Sequence, residues 1–232
     1  MRLTTAFAAV LLAVLPATMA NAQDADTRPG IAVFPFTNGG SFGPGSEDLA
    51  PLEVGIQQML LTELAQNPTL RTVERSRLRE ILEEQDLVRS GAVDPNTAAR
   101  IGRLVGARYV ITGVFMDLFG DFRMDGRVVD VETGEHLRAL EVRSQRENLY
   151  EMLVDLASGI TDQLDLPPLA AAQVEERRNR EIPVEAVTMF SRAQVYEDGG
   201  RREQAIELYQ QIADRFPAMT EATEALRQLR EG

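Results

Sequence analysis

Residues 110–131, VITGVFMDLFGDFRMDGRVVDV, carry the decision about this fold. The stretch reads as one strand, a tight reversal at Phe119-Gly120-Asp121, and a second strand. Such a hairpin either enters a membrane or belongs to a small soluble sheet. A membrane-crossing strand needs about 9–11 residues with a continuously apolar outward face. Between Met116 and Arg127 the sequence instead places Asp117, Asp121, Arg123, Asp125 and Arg127. Phe122, Met124 and Val128 alternate with those charges, the pattern of a strand with one buried and one wet face. The expectation is a short meander in a soluble sheet.

The flanking sequence supplies the rest of a layer. Ile31 to Phe36 (IAVFPF) reads as a buried strand, with Pro35 marking an edge or a strand end. The glycine-rich segment Asn38 to Ser46 reads as a flexible surface loop. A helix is predicted from about Leu49 to Ala65, with Leu52, Ile56, Met59, Leu60 and Leu64 on its apolar face and Asn67-Pro68 as its stop. A brief strand, Leu70 to Val73, runs into a second helix carrying Leu78, Ile81 and Leu82, closed by Gly91. Asp94-Pro95 has the form of an N-cap followed by a first-turn proline, opening a helix through Val105 that Gly106 ends. Beyond the hairpin, Thr133-Gly134 turn the chain into a third strand reaching about Val142. Leu149, Met152, Leu153, Leu156, Ile160 and Leu164 then recur at helical spacing. The sum is an α/β fold in the α+β layered sense, a small mixed sheet of about five strands with packed helices.

Four segments follow from this reading. Residues 1–22 form a predicted signal peptide: Met1-Arg2, an apolar run from Ala6 to Leu15, the breaker Pro16, and cleavage after Ala22. Residues 23–166 form the α/β domain, closed by Leu166-Pro167-Pro168. Residues 167–183 form a charged linker, predicted as a solvent-facing helix with Glu176 and Arg180 four apart. Residues 184–232 form a helical unit in which Met189, Ala193, Tyr196, Ala205, Tyr209 and Pro217 fall at the spacing of a tetratricopeptide repeat. Small residues at 193 and 205 let two helices approach, Tyr209 fills between them, Gly199-Gly200 make the turn, and Glu221 to Arg230 supply a third, capping helix. One repeat buries its own face poorly, so the unit should dock on the first domain, on a second copy or on a partner.

Composition narrows the chemistry. The net charge is −12, and all 24 basic residues are arginine. No basic surface is built for phosphates, which argues against nucleic acid, and the missing lysine removes Schiff-base and phosphate-loop chemistry. Without cysteine there is neither a disulfide nor a lipid-modified N-terminal cysteine, so an exported chain would be an unanchored periplasmic protein and not a lipoprotein. TNGGSFGPGSED (37–48) fails as a phosphate cradle, because Asp48 stands where a dinucleotide fingerprint wants glycine and Glu47 would repel an anion. His136 is the only histidine and has no second ligand for zinc. Asp117, Asp121 and Asp125 lack the alternating pattern of a calcium loop. Asp130 and Glu132 share a strand face but have no further catalytic partner. Neither enzyme activity, nor a cofactor, nor a metal is expected.

Three stretches in order, VERSRLREILEEQDL (73–87), AARIGRLVGARYVITGVF (98–115) and VVDVETGEHL (128–137), resemble the CsgG family, known for the curli secretion channel of the outer membrane. The likeness spans about residues 30–165 and extends more distantly to LpoB-type activators of peptidoglycan synthases and to the N-terminal domain of TolB. It implies a related small α/β fold and a place in envelope assembly or secretion. Glu74 and Arg75, where a strand hands over to a helix, are expected to pair and fix that junction. The channel subunit carries two long membrane hairpins and a lipid-anchoring cysteine. Here the first hairpin position is the charged stretch above, the second is closed because Arg143 passes directly toward the helix at Leu149, and the cysteine is missing. The expected function is that of an exported, non-enzymatic CsgG-like protein working through contacts with other cell-envelope proteins. Alternatives are an LpoB-like regulator of a peptidoglycan synthase and an outer-membrane channel subunit. Homo-oligomerisation and peripheral membrane association are compatible with this reading, with no transmembrane helix expected in the mature chain.

Overall fold

The computed structural model describes residues 26–84, 94–137 and 139–231; the expected signal peptide with Ala22, and Gly91, lie outside them. The first part of the chain runs β1 (Gly30–Val33), β2 (Thr37–Phe42), α1 (Leu52–Leu64), β3 (Arg71–Thr72), α2 (Arg75–Glu84), α3 (Pro95–Val105), β4 (Tyr109–Leu118), β5 (Asp121–Asp130), β6 (Leu140–Gln145) and α4 (Leu149–Gln163). The strands form one mixed sheet in the order β3-β1-β4-β5-β6, with β2 also paired to β4.

The sheet has six strands where the sequence suggests five, and the extra one is β2, built from the segment expected to be a surface loop. Its glycines give no apolar alternation, so its strand character comes from backbone pairing alone. β1 and β2 share one edge of β4: Val33 lies opposite Ile111, and after an interruption Thr37 lies opposite Val114 and Phe42 opposite Leu118. Pro35 sits in that interruption. Phe36 uses it to turn its ring inward over Gly113, where any side chain would overlap the ring. A glycine at 113 is therefore a packing requirement.

The 110–131 stretch forms the hairpin expected of it. β4 and β5 pair along ten residues each, from Tyr109 opposite Asp130 to Leu118 opposite Asp121. The turn residues Phe119 and Gly120 have φ of 55° and 92°, the left-handed pair that matches the twist of a two-residue hairpin. Phe115, Phe122, Met124 and Val128 are fully buried, and the Phe115 and Phe122 rings stack 5.6 Å apart. They belong to a core shared with α1 and α4 on one face of the sheet. On the other face Ala32, Phe34, Val110 and Val129 pack under α2 and α3. Both faces are thus covered, as parallel pairing requires. The α3 start is capped as expected, with Asp94 Oδ1 accepting from the amides of Asn96 (3.0 Å) and Thr97 (3.2 Å), and Gly106 at φ 72° ends it. Among the described residues, no helix is long and apolar enough to cross a membrane.

The chain continues through α5 (Ala171–Arg178), α6 (Val184–Asp198), α7 (Arg202–Arg215) and α8 (Thr220–Glu231). Ala193, Ala205 and Tyr209 are fully buried between α6 and α7; Met189 and Tyr196 are half-buried, and Pro217 is exposed just after α7. The Tyr209 ring tilts against Phe190 with centroids 5.6 Å apart. Of the three docking possibilities, the structure takes the first domain: Phe190, Ile182 and Tyr209 join the same apolar core as Leu60, Leu64 and Leu153.

Candidate functional site

Where α1, α4, the linker and α8 meet, four charged side chains and a phenol form one network. Glu63 of α1 is 5% exposed. It accepts from Tyr150 Oη (3.0 Å) and from Arg177 Nη2 (2.5 Å), with Arg177 Nε on its second oxygen. Arg180 grips Glu221 with two bonds of 2.7 Å each, donates to Tyr150 Oη at 2.7 Å, and lies over the Tyr150 ring at 5.1 Å. Burial pushes the Tyr150 phenol well above its ordinary range, and the Glu63 charge adds to that. Burial acts to lower the Arg177 pKa, but the Glu63 hydrogen bond and charge outweigh it and hold the guanidinium charged. Charge-assisted pairs of this kind are short and strong where water is scarce.

The linker expected at 167–183 does form a helix, α5, with no buried residue along it, but the pairing expected of its charged end is not the one found. Its helix ends at Arg178, and Arg180 turns inward to Glu221 instead of pairing with Glu176. The expected Glu74–Arg75 pair does not fix the strand–helix junction either. Arg75 pairs with Asp198 at the end of α6 and donates to Gln58 Oε1 (3.2 Å), and Arg79 reaches the same Asp198 at 2.6 Å. A long arginine at the first turn of α2 reaches across to a carboxylate that the neighbouring helix presents, and this fastens α2 to the tail.

Between α1, the start of α2, α6 and α8 lies a cleft of about 1030 Å³. Gln194 contributes to its lining and is 4% exposed. Its Nε2 donates to Tyr209 Oη, which donates in turn to Glu197 Oε2 at 2.9 Å. Gln194 Oε1 is buried and has no partner.

A second feature is the hairpin tip. Phe42, Leu118 and Phe119 are 61%, 46% and 77% exposed, and the Phe119 amide donates to Phe42 O at 2.9 Å, which gathers them at one end of the sheet. Beneath them the fully buried Asp117 accepts from the Gly120 amide (2.7 Å) and sits 3.0 Å from Arg146 Nε.

The carboxylates weighed in the sequence as calcium-loop or acid/base candidates are tied into structural pairs. Asp121 pairs with Arg143, Asp125 with Arg123, and Asp130 and Glu132 both pair with Arg108. Asp130 Oδ1 also accepts from the Glu132 (2.9 Å) and Thr133 (3.1 Å) amides, so it organises the turn after β5. His136 is exposed on an isolated bridge to Val129. Among the described residues no group of three or more acidic, histidine or cysteine side chains is placed to hold a metal ion. Sequence reasoning passed over Glu63, Arg177 and Gln194, and no local pattern marks them, because their partners lie far along the chain.

Sheet, helices and tail together define a small mixed α/β domain with an appended helical unit. Residues 15–118 match the family described as curli production assembly/transport component CsgG, so the resemblance stated from the sequence holds over that stretch. The match ends with β4 and leaves the 128–137 stretch outside it. Similar solved structures include the LpoB C-terminal domain from Escherichia coli, at 17% identity over 55% of this chain and 90% of that one, TM-score 0.39. TolB from Acinetobacter baumannii is 16% identical over 60% of this chain and 29% of its own, TM-score 0.42. Lipoprotein GNA1162 from Neisseria meningitidis is 15% identical over 59% and 96%, TM-score 0.41. No curated protein matches the chain.

Proposed function

We propose that this chain is an exported, non-enzymatic, CsgG-like protein of the periplasm that serves envelope assembly or secretion by holding other envelope proteins. The observation that carries this reading is the fixed seating of the helical tail on α1, through a shared core and the Glu63–Arg177–Glu221 network. Two binding-type elements held in one orientation suit an adaptor, whereas a tail on a flexible tether would not orient a partner. The match of residues 15–118 to the CsgG family supports the envelope setting. The apolar residues of β4 and β5 are used inside this domain's own core, which favours an adaptor over a channel subunit built on this hairpin.

The experiment is photo-crosslinking in cells from residues placed at exposed positions such as Phe119 and Glu224, with the products separated from the periplasmic and membrane fractions. Discrete adducts with envelope proteins, and release of the protein from membranes by alkaline carbonate, are expected. Residence in the cytosol, or retention as a detergent-extracted ring, would overturn the reading.

A further inference from the structure

We propose that the cleft between α1 and the tail seats an extended basic segment of a partner protein, with a lysine or arginine side chain donating to Gln194 Oε1. This deepens the protein-contact reading above and rests on it. The first argument is hydrogen-bond accounting. Buried side-chain acceptors are satisfied in the large majority of cases. Gln194 is 4% exposed, contributes to the cleft lining and gives one amide hydrogen to Tyr209, while its buried Oε1 has no partner and is an acceptor that only a donor can complete.

The second argument is charge. The two arginines of the lining are already committed, Arg75 to Asp198 and Arg177 to Glu63. Glu74, Glu197 and Glu224 line the same cleft, and among the described residues neither Glu74 nor Glu197 has an arginine partner. What remains unspent is therefore acceptor capacity and negative charge, which an acidic segment would meet with repulsion and a basic one with attraction. The third is size. At about 1030 Å³ the cleft stands at the upper end of small-molecule pockets, of the order of 300–1,000 Å³, and suits several residues of chain.

The test titrates the chain from Gln23 onward with two synthetic octapeptides, one alternating lysine with serine and the other alternating glutamate with serine, followed by calorimetry and by amide chemical shifts. The lysine peptide is expected to bind, more weakly as salt rises, with shifts centred on Gln194 and Glu74. Glu224→Arg, a change at an exposed position, should weaken it about tenfold, and Gln194→Met by a similar factor, as loss of a hydrogen bond to a charged group does. Because Gln194 also touches Tyr209, the rim variant decides if the Gln194 variant unfolds. No binding, equal binding of the glutamate peptide, or shifts confined to another face would overturn the proposal. Those results leave crosslinks through other faces untouched, so failure of the cleft and failure of the adaptor reading are separable.

Discussion

Gly55 of α1 lies directly under Ser191 of α6, so close that a methyl group at position 55 would fall on Ser191 Oγ and Cβ. The sheet domain and the tail approach each other closely here. Mid-helix glycine costs about 1 kcal/mol relative to alanine, so on a free helix Gly55→Ala would stabilise. Here the clash is with atoms fixed next to the backbone of a packed helix. Gly55→Ala is expected to lose about 1–3 kcal/mol as overpacking does. Adding Ser191→Gly should recover part of the loss, and urea unfolding of the single and the double variant checks it.

The Glu63–Arg177 pair should matter more than a surface ion pair. Removing one partner of a fully buried pair costs about 3–5 kcal/mol, and the partial exposure of Arg177 brings the expectation for Glu63→Gln down to about 2 kcal/mol. The loss should change little between low and high salt, because the pair is shielded from ions. In the double variant Glu63→Gln with Arg177→Met the loss should be smaller than the sum of the singles, which equilibrium unfolding in a double-mutant cycle measures.

The hairpin turn carries the opposite expectation. Phe119 holds φ 55° and is 77% exposed, at a position where asparagine before glycine is the favoured chemistry. Phe119→Asn should stabilise by about 1 kcal/mol, the order of the left-handed penalty it relieves. An unchanged or lower urea midpoint would refute that, and would assign the ring a packing role through its contact over Gly43.

Alkaline pH should loosen the seam. The Tyr150 phenol is raised above its ordinary value of about 10 by burial and by Glu63, and Tyr209 is raised by burial and Glu197. A raised folded-state pKa means the folded chain keeps a proton the unfolded chain gives up. The contribution is therefore complete below about pH 10 and is lost as pH climbs above it. Tyr150→Phe should flatten the fall in stability between about pH 10 and 11, leaving the part due to Tyr209, as urea midpoints across that range would record.

Most of the elements were legible along the chain. Phe115, Phe122, Met124 and Val128 reveal the hairpin because alternation has a period of two, and Asp94-Pro95 reveals a helix start because a cap acts on amides two and three residues away. β2 was not legible, since its glycines carry no pattern and only the free edge of β4 beyond Val33 makes them a strand. Arg75 was misassigned for a related reason: Glu74 is its neighbour in sequence, but the first turn of α2 points its side chain toward the end of α6.

The sequence by itself determined the alternating hairpin, the helix periodicities and caps, and the acidic, cysteine-free composition, all of which act over a few residues or over the whole chain at once. The tertiary structure decided where the tail sits, which carboxylate each arginine takes, and that Gln194 is left with an unspent acceptor. Glu63 and Arg177 are 114 positions apart, and Arg75 and Asp198 are 123 apart. No local pattern reports such pairs, because their energy arises only when folding removes water from between them.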